Sequence, residues 1–319
     1  VERVRAAGAI LVGKTNVPEF GLGSQTFNEV FGPTLNPWNP SKTAGGSSGG
    51  AAAALAARML PVADGSDMMG SLRNPAAFCN VYGFRPSRGR VPNTLAPDAF
   101  SQQLATDGPM GRSVADLAML LATQAGYDAR APLSLGDDPS VFAQPLGRDF
   151  SGARIGWLGD LGGYLPFEPG VLELCRSALK VFETLGCRVD EARVDFAPER
   201  MWRTWLAWRR FLVSGSLVAH YRDPRRRPLL KPEAVWEIEQ GLATSALDVH
   251  DASVDRTALY RAVLAAFEHF DFLVLPTAQV FPFDVTQRWP KSIAGREMDT
   301  YHRWMEVVIL PTLTGCPAL

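Results

Sequence analysis

Two segments rich in glycine and serine, separated by one alanine-rich run, constrain this 319-residue chain more than any other feature. The first is Gly-Gly-Ser-Ser-Gly-Gly at 45–50, and the second is Gly-Ser-Asp-Met-Met-Gly-Ser-Leu-Arg-Asn-Pro-Ala at 65–76. The run between them, 51–60, consists of strong helix formers and stops at Pro61, which predicts a short helix. Such a helix would fold the two segments back on each other and bring their serines to one place.

The second segment has the character of a catalytic turn. Taken alone, a Gly/Ser hexapeptide such as 45–50 is more often a flexible linker than a site. In the second segment, however, Met68, Met69 and Gly70 precede Ser71, and a tight turn there would point several backbone N–H groups at a carbonyl oxygen beside the Ser71 hydroxyl. An oxyanion hole of this kind needs no particular side chains.

Further segments carry a resemblance to a known family. They are Ala-Ala-Gly-Ala-Ile-Leu-Val-Gly-Lys-Thr-Asn-Val-Pro-Glu-Phe at 6–20, Asn-Pro-Trp at 36–38, Pro-Ala-Ala-Phe-Cys at 75–79 and Asp-Gly-Pro-Met-Gly-Arg-Ser-Val-Ala-Asp at 107–116. Together with the paired serine segments, they make the chain resemble the amidase signature family, most densely from 6 to 116. The resemblance implies an α/β fold with a mixed β-sheet flanked by helices, in one large domain over 1–319.

The resemblance also implies catalytic roles. The nucleophilic serine falls on Ser71, and the bridging serine, which follows a cis peptide bond, falls on Ser47. A neutral lysine takes a proton from Ser47, Ser47 takes one from Ser71, and Ser71 attacks an amide carbonyl to form an acyl-enzyme that water releases. The backbone N–H groups of Met68, Met69, Gly70 and Ser71 would hold the oxyanion.

Other residues would support this site. Asp67 and Arg73 resemble the family's supporting network, although an ion pair at a helix start explains them equally well. Gly46 and Ser48 flank the bridging serine, and the neighbouring glycines make room for an unusual backbone path.

The sequence departs from the family at two places. Met69 stands where the family usually has a glycine, which narrows the acyl pocket or restricts the backbone. The lysines are Lys14, Lys42, Lys180, Lys231 and Lys291, and none has the sequence context of the family's catalytic lysine. We therefore expect this chain to be a fragment that lacks both ends, inactive alone, with its base in the missing N-terminal part of a competent amidase.

Alternatives remain open at this point. Residues 45–49 also match Gly-x-Ser-x-Gly, which would make Ser47 the nucleophile of an α/β-hydrolase, but no strand pattern precedes them. A glutamine amidotransferase subunit of a tRNA-dependent complex would carry a Ser-Asn-Leu-Ala-Arg-like segment, and 201–241 contains none. A non-catalytic member of the fold is disfavoured because both serines are retained.

Composition excludes several other classes of protein. A net charge of −1 gives no electrostatic case for binding nucleic acid or an anionic membrane, and no apolar run reaches the roughly 18–20 residues of a spanning helix. The cysteines and histidines lack metal-ligand spacing, so we expect no metal and no cofactor. We expect a small-molecule amide substrate, a cytoplasmic location by default, and a possible homodimer.

Periodicity predicts a few further elements. Strands are expected at 9–13, 154–158 and 271–275, and helices at 1–7, 169–185 and 255–270. The tryptophan stripe formed by Trp202, Trp205 and Trp208 favours core packing over a specificity pocket.

Overall fold

The computed structural model describes residues 1–94, 98–101 and 104–319. The chain divides into two compact units. Unit 1 comprises residues 1–148, 281–290 and 315–319, and unit 2 comprises 149–280 and 291–314. The assignment of one amidase domain to 1–319 stays a prediction.

Unit 1 carries both serine segments. Its helices and strands are, in chain order, α1 (Glu2–Ala6), β1 (Phe27–Asn28), β2 (Gly32–Pro33), β3 (Leu35–Asn36), β4 (Asn39–Thr43), α2 (Gly49–Ala56), β5 (Val62–Asp67), α3 (Arg73–Cys79), β6 (Tyr82–Gly83), β7 (Thr106–Gly111) and α4 (Val114–Gln124). Strands β5, β7 and β6 form a three-stranded antiparallel sheet with β7 in the centre. The remaining strands form the hairpins β1–β2 and β3–β4.

The core of unit 1 lies directly beneath the serine segments. Small side chains dominate it, so α2 and α3 approach the β5–β7–β6 sheet closely. Its buried members are Ala44, Ala51, Ala52, Leu55, Leu72, Ala76, Cys79 and Met110.

Leu72 anchors the second serine segment to the sheet, and one glycine from each strand makes room for it. A Cβ on Gly65 of β5 or on Gly108 of β7 would lie 2.9 Å from a Leu72 methyl carbon. A Cβ on Gly83 of β6 would lie 2.2 Å from the Leu72 carbonyl oxygen. Since real Cβ atoms do not approach that closely, only glycine fits at these positions without a shift.

Unit 2 is built around a parallel sheet. Its helices and strands are β8 (Arg154–Trp157), α5 (Val171–Ala178), α6 (Lys180–Thr184), β9 (Arg188–Glu191), α7 (Pro198–Arg222), α8 (Pro232–Leu242), α9 (Ala246–Phe267), β10 (Phe272–Val274), β11 (Ser292–Ile293), β12 (Arg296–Glu297) and α10 (Ile309–Thr314). The strand order is β10–β8–β9, with β8 parallel to both neighbours. Strands and helices alternate here as a parallel sheet requires, and the predicted mixed α/β class is confirmed.

Helices α7, α8 and the segment before α10 enclose a polar cluster in unit 2. Arg209 donates to Glu237 at 2.5 Å and to the Tyr301 hydroxyl at 2.5 Å, and Tyr301 donates to Glu237 at 2.7 Å. His302 lies 3.7 Å from Glu237, and all four side chains are buried. The predicted tryptophan stripe is part of this core, because Trp202 and Trp205 pack against the His302 ring.

Several predicted elements are confirmed, with shifted ends. Strands β8 and β10 lie within the predicted 154–158 and 271–275, and the helix predicted at 169–185 is divided into α5 and α6. Helix α9 begins nine residues before the predicted Asp255, because Ser245 and Asp248 form a capping box in which each side chain accepts the other's backbone N–H.

Helix α2 is shorter than predicted. It ends at Ala56, and Arg58 adopts a left-handed conformation with φ +60°. The Met59 N–H then bonds back to the Ala54 carbonyl, which closes the helix before Pro61 is reached.

The prediction of a strand at 9–13 is wrong. Within the described residues, this segment pairs with no other strand, and Ile10 is 87% exposed. A strand exists only where a neighbour pairs with its backbone groups, so an apolar run alone did not determine the structure here.

Candidate active site

The first serine segment lies between β4 and α2, and two upstream hydroxyls hold it. The Gly46–Ser47 peptide bond is cis, as the resemblance implies. Ser24 donates to the Gly46 carbonyl at 2.6 Å, and Thr26 donates to the Ser47 carbonyl at 3.4 Å. The Thr26 hydroxyl also accepts the Gly49 N–H at 3.2 Å. Neither Ser24 nor Thr26 could be predicted from the sequence, because only the fold brings them to this segment.

The second serine segment begins where β5 ends, at Asp67. The Asp67 carboxylate accepts the backbone N–H of Gly70 at 2.8 Å and that of Leu72 at 3.2 Å, on either side of Ser71. Arg73 binds both carboxylate oxygens at 2.9 Å. Asp67 therefore holds the turn through direct hydrogen bonds, and Arg73 pairs with Asp67. Their supporting role in catalysis stays a prediction.

One backbone hydrogen bond joins the two segments. The Ser48 N–H donates to the Ser71 carbonyl at 3.1 Å, and the Ser48 hydroxyl donates to the Ser66 carbonyl at 3.5 Å. Ser47 keeps 6% of its surface exposed and Ser71 keeps 9%. The structure thus brings the two predicted serine segments together across α2, with both serines in a largely dry environment.

The backbone N–H groups of the turn around Ser71 differ in whether a protein acceptor already binds them. The Gly70 N–H is engaged by Asp67, whereas the N–H groups of Met69 and Ser71 have no acceptor within the described residues. Gly70 has φ +82°, a conformation that a side chain would strain, while Met69 has an ordinary negative φ. Met69 is 3% exposed, so its side chain occupies the interior beside the turn.

The Asp67 carboxylate is strongly stabilised as an anion. Burial alone would raise its pKa, but Arg73, Arg85 and the backbone donors outweigh burial and hold the pKa well below its usual range. Arg85 was not among the predicted site residues, yet its side chain is fully buried and donates to both the carbonyl and the carboxylate of Asp67.

The lysines of unit 1 do not complete the predicted relay. Lys14 is exposed, and Lys42 lies on β4, where its backbone pairs with Asp284. In the described part of unit 1, neither lysine donates a hydrogen bond to Ser47.

The part of the chain that the structure describes contains neither a metal site nor a membrane-spanning helix. Within the described residues, no group of three or more His, Cys, Asp or Glu side chains could hold a metal ion. Over the same residues, no helix is both long and apolar enough to cross a lipid bilayer. The four cysteines carry no disulfide.

Comparisons with known proteins agree with one another. The family model described as Amidase matches residues 1–319, which confirms the resemblance. An acylamidase of Rhodococcus erythropolis is 34% identical over 93% of this chain and 62% of its own length. A glutamyl-tRNA(Gln) amidotransferase subunit of Thermus thermophilus is 36% identical over 100% of this chain and 69% of its own length.

A solved structure supports the same grouping. A bacterial aryl acylamidase of the amidase signature family superimposes with a TM-score of 0.91 at 30% identity, over 99% of this chain and 66% of that one. The chain therefore spans about two thirds of the length of the relatives that it matches.

Proposed function

Since the chain belongs to the Amidase family, we propose that the protein hydrolyses the C–N bond of a carboxylic amide through an acyl-enzyme on Ser71. The observation that carries the proposal is the hydrogen bond from the Ser48 N–H to the Ser71 carbonyl, 3.1 Å long. It fixes the segment of the bridging serine Ser47 against the segment of the nucleophile. A proton relay between two hydroxyls needs such a fixed arrangement.

The reaction follows from these positions. The Ser71 oxygen bonds to the amide carbon, its proton passes to Ser47, and the Ser47 proton passes to the lysine that the resemblance implies. The C=O π electrons move to the oxygen, which the free N–H groups of Met69 and Ser71 receive. The C=O bond re-forms as the C–N bond breaks, and the amine leaves with the proton that the lysine returns through Ser47. Water then attacks the acyl carbon, gives its proton to the same relay and releases the acid as Ser71 regains its hydrogen. Losing one oxyanion donor typically costs about 2.7–4 kcal/mol of transition-state stabilisation.

We propose a small aryl or acyl amide as the substrate. The likeness to an acylamidase and to an aryl acylamidase supports this class. The nearly closed surroundings of Ser71 and the buried Met69 also favour a small acyl group. A cytoplasmic location fits the unpaired cysteines. A homodimer remains a proposal that light scattering of the full-length protein would test.

A second candidate is an amidotransferase subunit that releases ammonia from glutamine within a tRNA-dependent complex. The likeness to the Thermus thermophilus amidotransferase subunit favours it. Against it, 201–241 lacks the Ser-Asn-Leu-Ala-Arg-like segment. Hydrolysis of an acyl anilide without hydrolysis of glutamine would support the amidase, and the reverse preference would support the second candidate.

The decisive experiment is covalent labelling of the full-length protein with a fluorophosphonate, followed by intact mass spectrometry. We expect one adduct on the wild type, none on Ser71→Ala, and labelling slowed by about 10²–10⁴-fold on Ser47→Ala, the usual range for lost proton transfer. Ser66→Ala is the matched control, since Ser66 is an exposed serine on β5. An adduct that persists on Ser71→Ala overturns the assignment, and an unlabelled wild type favours a non-catalytic role.

A further inference from the structure

Arg85 is fixed at both its backbone and its side chain. Its backbone N–H donates to the Ala318 carbonyl at 2.7 Å, and its own carbonyl accepts the Ala318 N–H at 2.9 Å. One terminal nitrogen of the guanidinium donates to the Asp67 carbonyl and lies 3.4 Å from the Asp67 carboxylate. The other donates to the Leu104 carbonyl at 2.8 Å. A guanidinium held in this way cannot move with the substrate, so the charge of Arg85 acts from a fixed position.

The charges around Asp67 do not cancel. Asp67 contributes one negative charge, while Arg73 and Arg85 contribute two positive charges, and all three side chains are at most 4% exposed. Burial lowers the pKa of Arg85 to about 10, which leaves the guanidinium charged at neutral pH. The three groups together therefore carry one net positive charge in the interior.

That charge lies beneath the turn that carries Ser71. Asp67 binds the N–H groups of Gly70 and Leu72, the two residues that flank Ser71. The negative charge of the tetrahedral intermediate would develop at the N–H groups of Met69 and Ser71, which belong to the same short turn and have no acceptor in the described residues. In a site that excludes water, a fixed charge acts much more strongly than it would in solution.

We propose that Arg85 is a positioning residue that works through Asp67 and leaves a net positive charge beneath the oxyanion. Arg73 alone would neutralise Asp67 and hold the turn. Arg85 adds the charge that makes the surroundings of the turn favour an anion. This inference rests on the proposed function, because it assigns a role within the same reaction.

The test uses a simple aryl trifluoromethyl ketone, to which Ser71 adds to form a tetrahedral adduct. The Ser71 oxygen bonds to the carbonyl carbon and the C=O π electrons move to the oxygen. The Ser71 proton passes to Ser47 as the Ser47 proton passes to the lysine. The fluorine-19 chemical shift of the adduct, followed against pH in the full-length protein, reports where the adduct hydroxyl ionises. A net positive charge near the adduct lowers the pH midpoint of this ionisation, whereas a purely structural role of Arg85 leaves the midpoint unchanged.

Variants that change the net charge of the Asp67, Arg73 and Arg85 cluster in opposite directions should shift the midpoint in opposite directions. We expect Arg85→Met, which leaves the cluster neutral, to raise the midpoint by about one pH unit or more. Asp67→Asn leaves two positive charges, so its midpoint should fall even though its turnover also falls. Arg85→Lys should keep a midpoint near that of the wild type. Arg58→Met is the control, because Arg58 is an exposed cation of the α2–β5 connection.

Each outcome decides the proposal. An unchanged midpoint in folded Arg85→Met, or an unchanged or higher one in Asp67→Asn, overturns it. If Arg85→Met does not fold, Asp67→Asn decides alone, and failure of both to fold would make the role of Arg85 structural and overturn the proposal. If the wild type forms no adduct with the ketone and no fluorophosphonate adduct, the proposed function itself is overturned, and this inference with it.

Discussion

The Asp67 carboxylate connects the backbone of the Ser71 turn to two buried guanidinium groups. This one carboxylate accepts two backbone N–H groups of the turn, one on each side of Ser71, so the backbone path of the turn depends on it. Removing one partner of a buried ion pair leaves the others without a counter-charge, which is costly.

Asp67→Asn should therefore lower the free energy of unfolding by about 3–5 kcal/mol at pH 7. The folded-state pKa of Asp67 lies below its unfolded value, so its contribution is present above about pH 4 and is lost as the pH falls further. Urea unfolding at pH 7, 5, 4 and 3 measures this. The gap between wild type and variant should narrow below pH 4, and a constant gap would contradict the assignment.

Met69 stands where the resemblance implies a glycine, and the structure accommodates it because the residue of the turn with a positive φ is Gly70. Met69→Gly should open space beside Ser71 and raise the kcat/KM for bulky acyl anilides relative to acetanilides. It should also reduce stability by about 2–5 kcal/mol, because a buried side chain is deleted. Initial rates on a series of acyl anilides measure the preference, and an unchanged order of substrates would rule out a role of Met69 in specificity.

At the scale of elements, the sheet β5–β7–β6 and the turn around Ser71 form one packed assembly. Each of the three strands contributes a glycine against Leu72, and Leu72 directly follows Ser71. The sequence displays the glycines, but only the pairing of the strands shows that they meet at the same residue.

Gly83→Ala should destabilise unit 1 by about 3 kcal/mol or more, because its Cβ would overlap backbone at the Leu72 carbonyl. Gly147→Ala is the matched control, since nothing lies within 4 Å of its Cβ position, and its effect should stay within about 0.5 kcal/mol. Thermal and urea unfolding of both variants provide the comparison. Equal stability of the two would mean that β6 can shift away from Leu72.

Helix α9 offers a test of a single cap. Ser245 accepts the Asp248 N–H at 3.1 Å at the start of this 22-residue helix. Ser245→Ala should cost about 1 kcal/mol, and Ser253→Ala, which alters an exposed serine inside α9, should cost less. Denaturant midpoints of the two variants measure the difference, and a larger loss in Ser253→Ala would contradict the capping role.

At the scale of the whole molecule, buried titratable groups set how stability depends on pH. His302 is fully buried, and its neighbours are Glu237, Tyr301, Arg209, Arg210 and Arg303. Burial and the three arginines lower the pKa of His302 well below its usual value.

Below about pH 6.5, the unfolded chain therefore binds a proton at His302 that the folded protein does not bind. Stability should be highest above pH 6.5 and fall by about 1.4 kcal/mol per pH unit below it. His302→Met should remove this slope, and His250→Met, which alters an exposed histidine, should keep it. Unfolding free energies between pH 7 and 5 measure the slope, and an equal slope in both variants would exclude His302 as its source.

The sequence predicted the parts of the fold that local pattern encodes. The helices around 171–184, the part of α9 from Asp255 onward and the strands β8 and β10 follow from apolar periodicity, and the serine segments follow from their composition. Strand β5, Val-Ala-Asp-Gly-Ser-Asp, has no such pattern and exists because all six of its residues pair with β7. Arg85, 18 residues from Asp67 along the chain, likewise becomes visible only when the fold is known.

The packing of Leu72 against three glycines also limits how this part of the molecule can be exchanged. The sheet has no side chains of its own at Gly65 and Gly108, and the Leu72 side chain, next to Ser71, fills that space. A chimaera that takes residues 65–76 from one relative and 82–111 from another must fit Leu72 to two strands of the other relative. The Leu72 carbonyl must fit at Gly83, and the Leu72 side chain must fit at Gly108. The turn around Ser71 and the sheet beneath it must therefore be exchanged as a single piece.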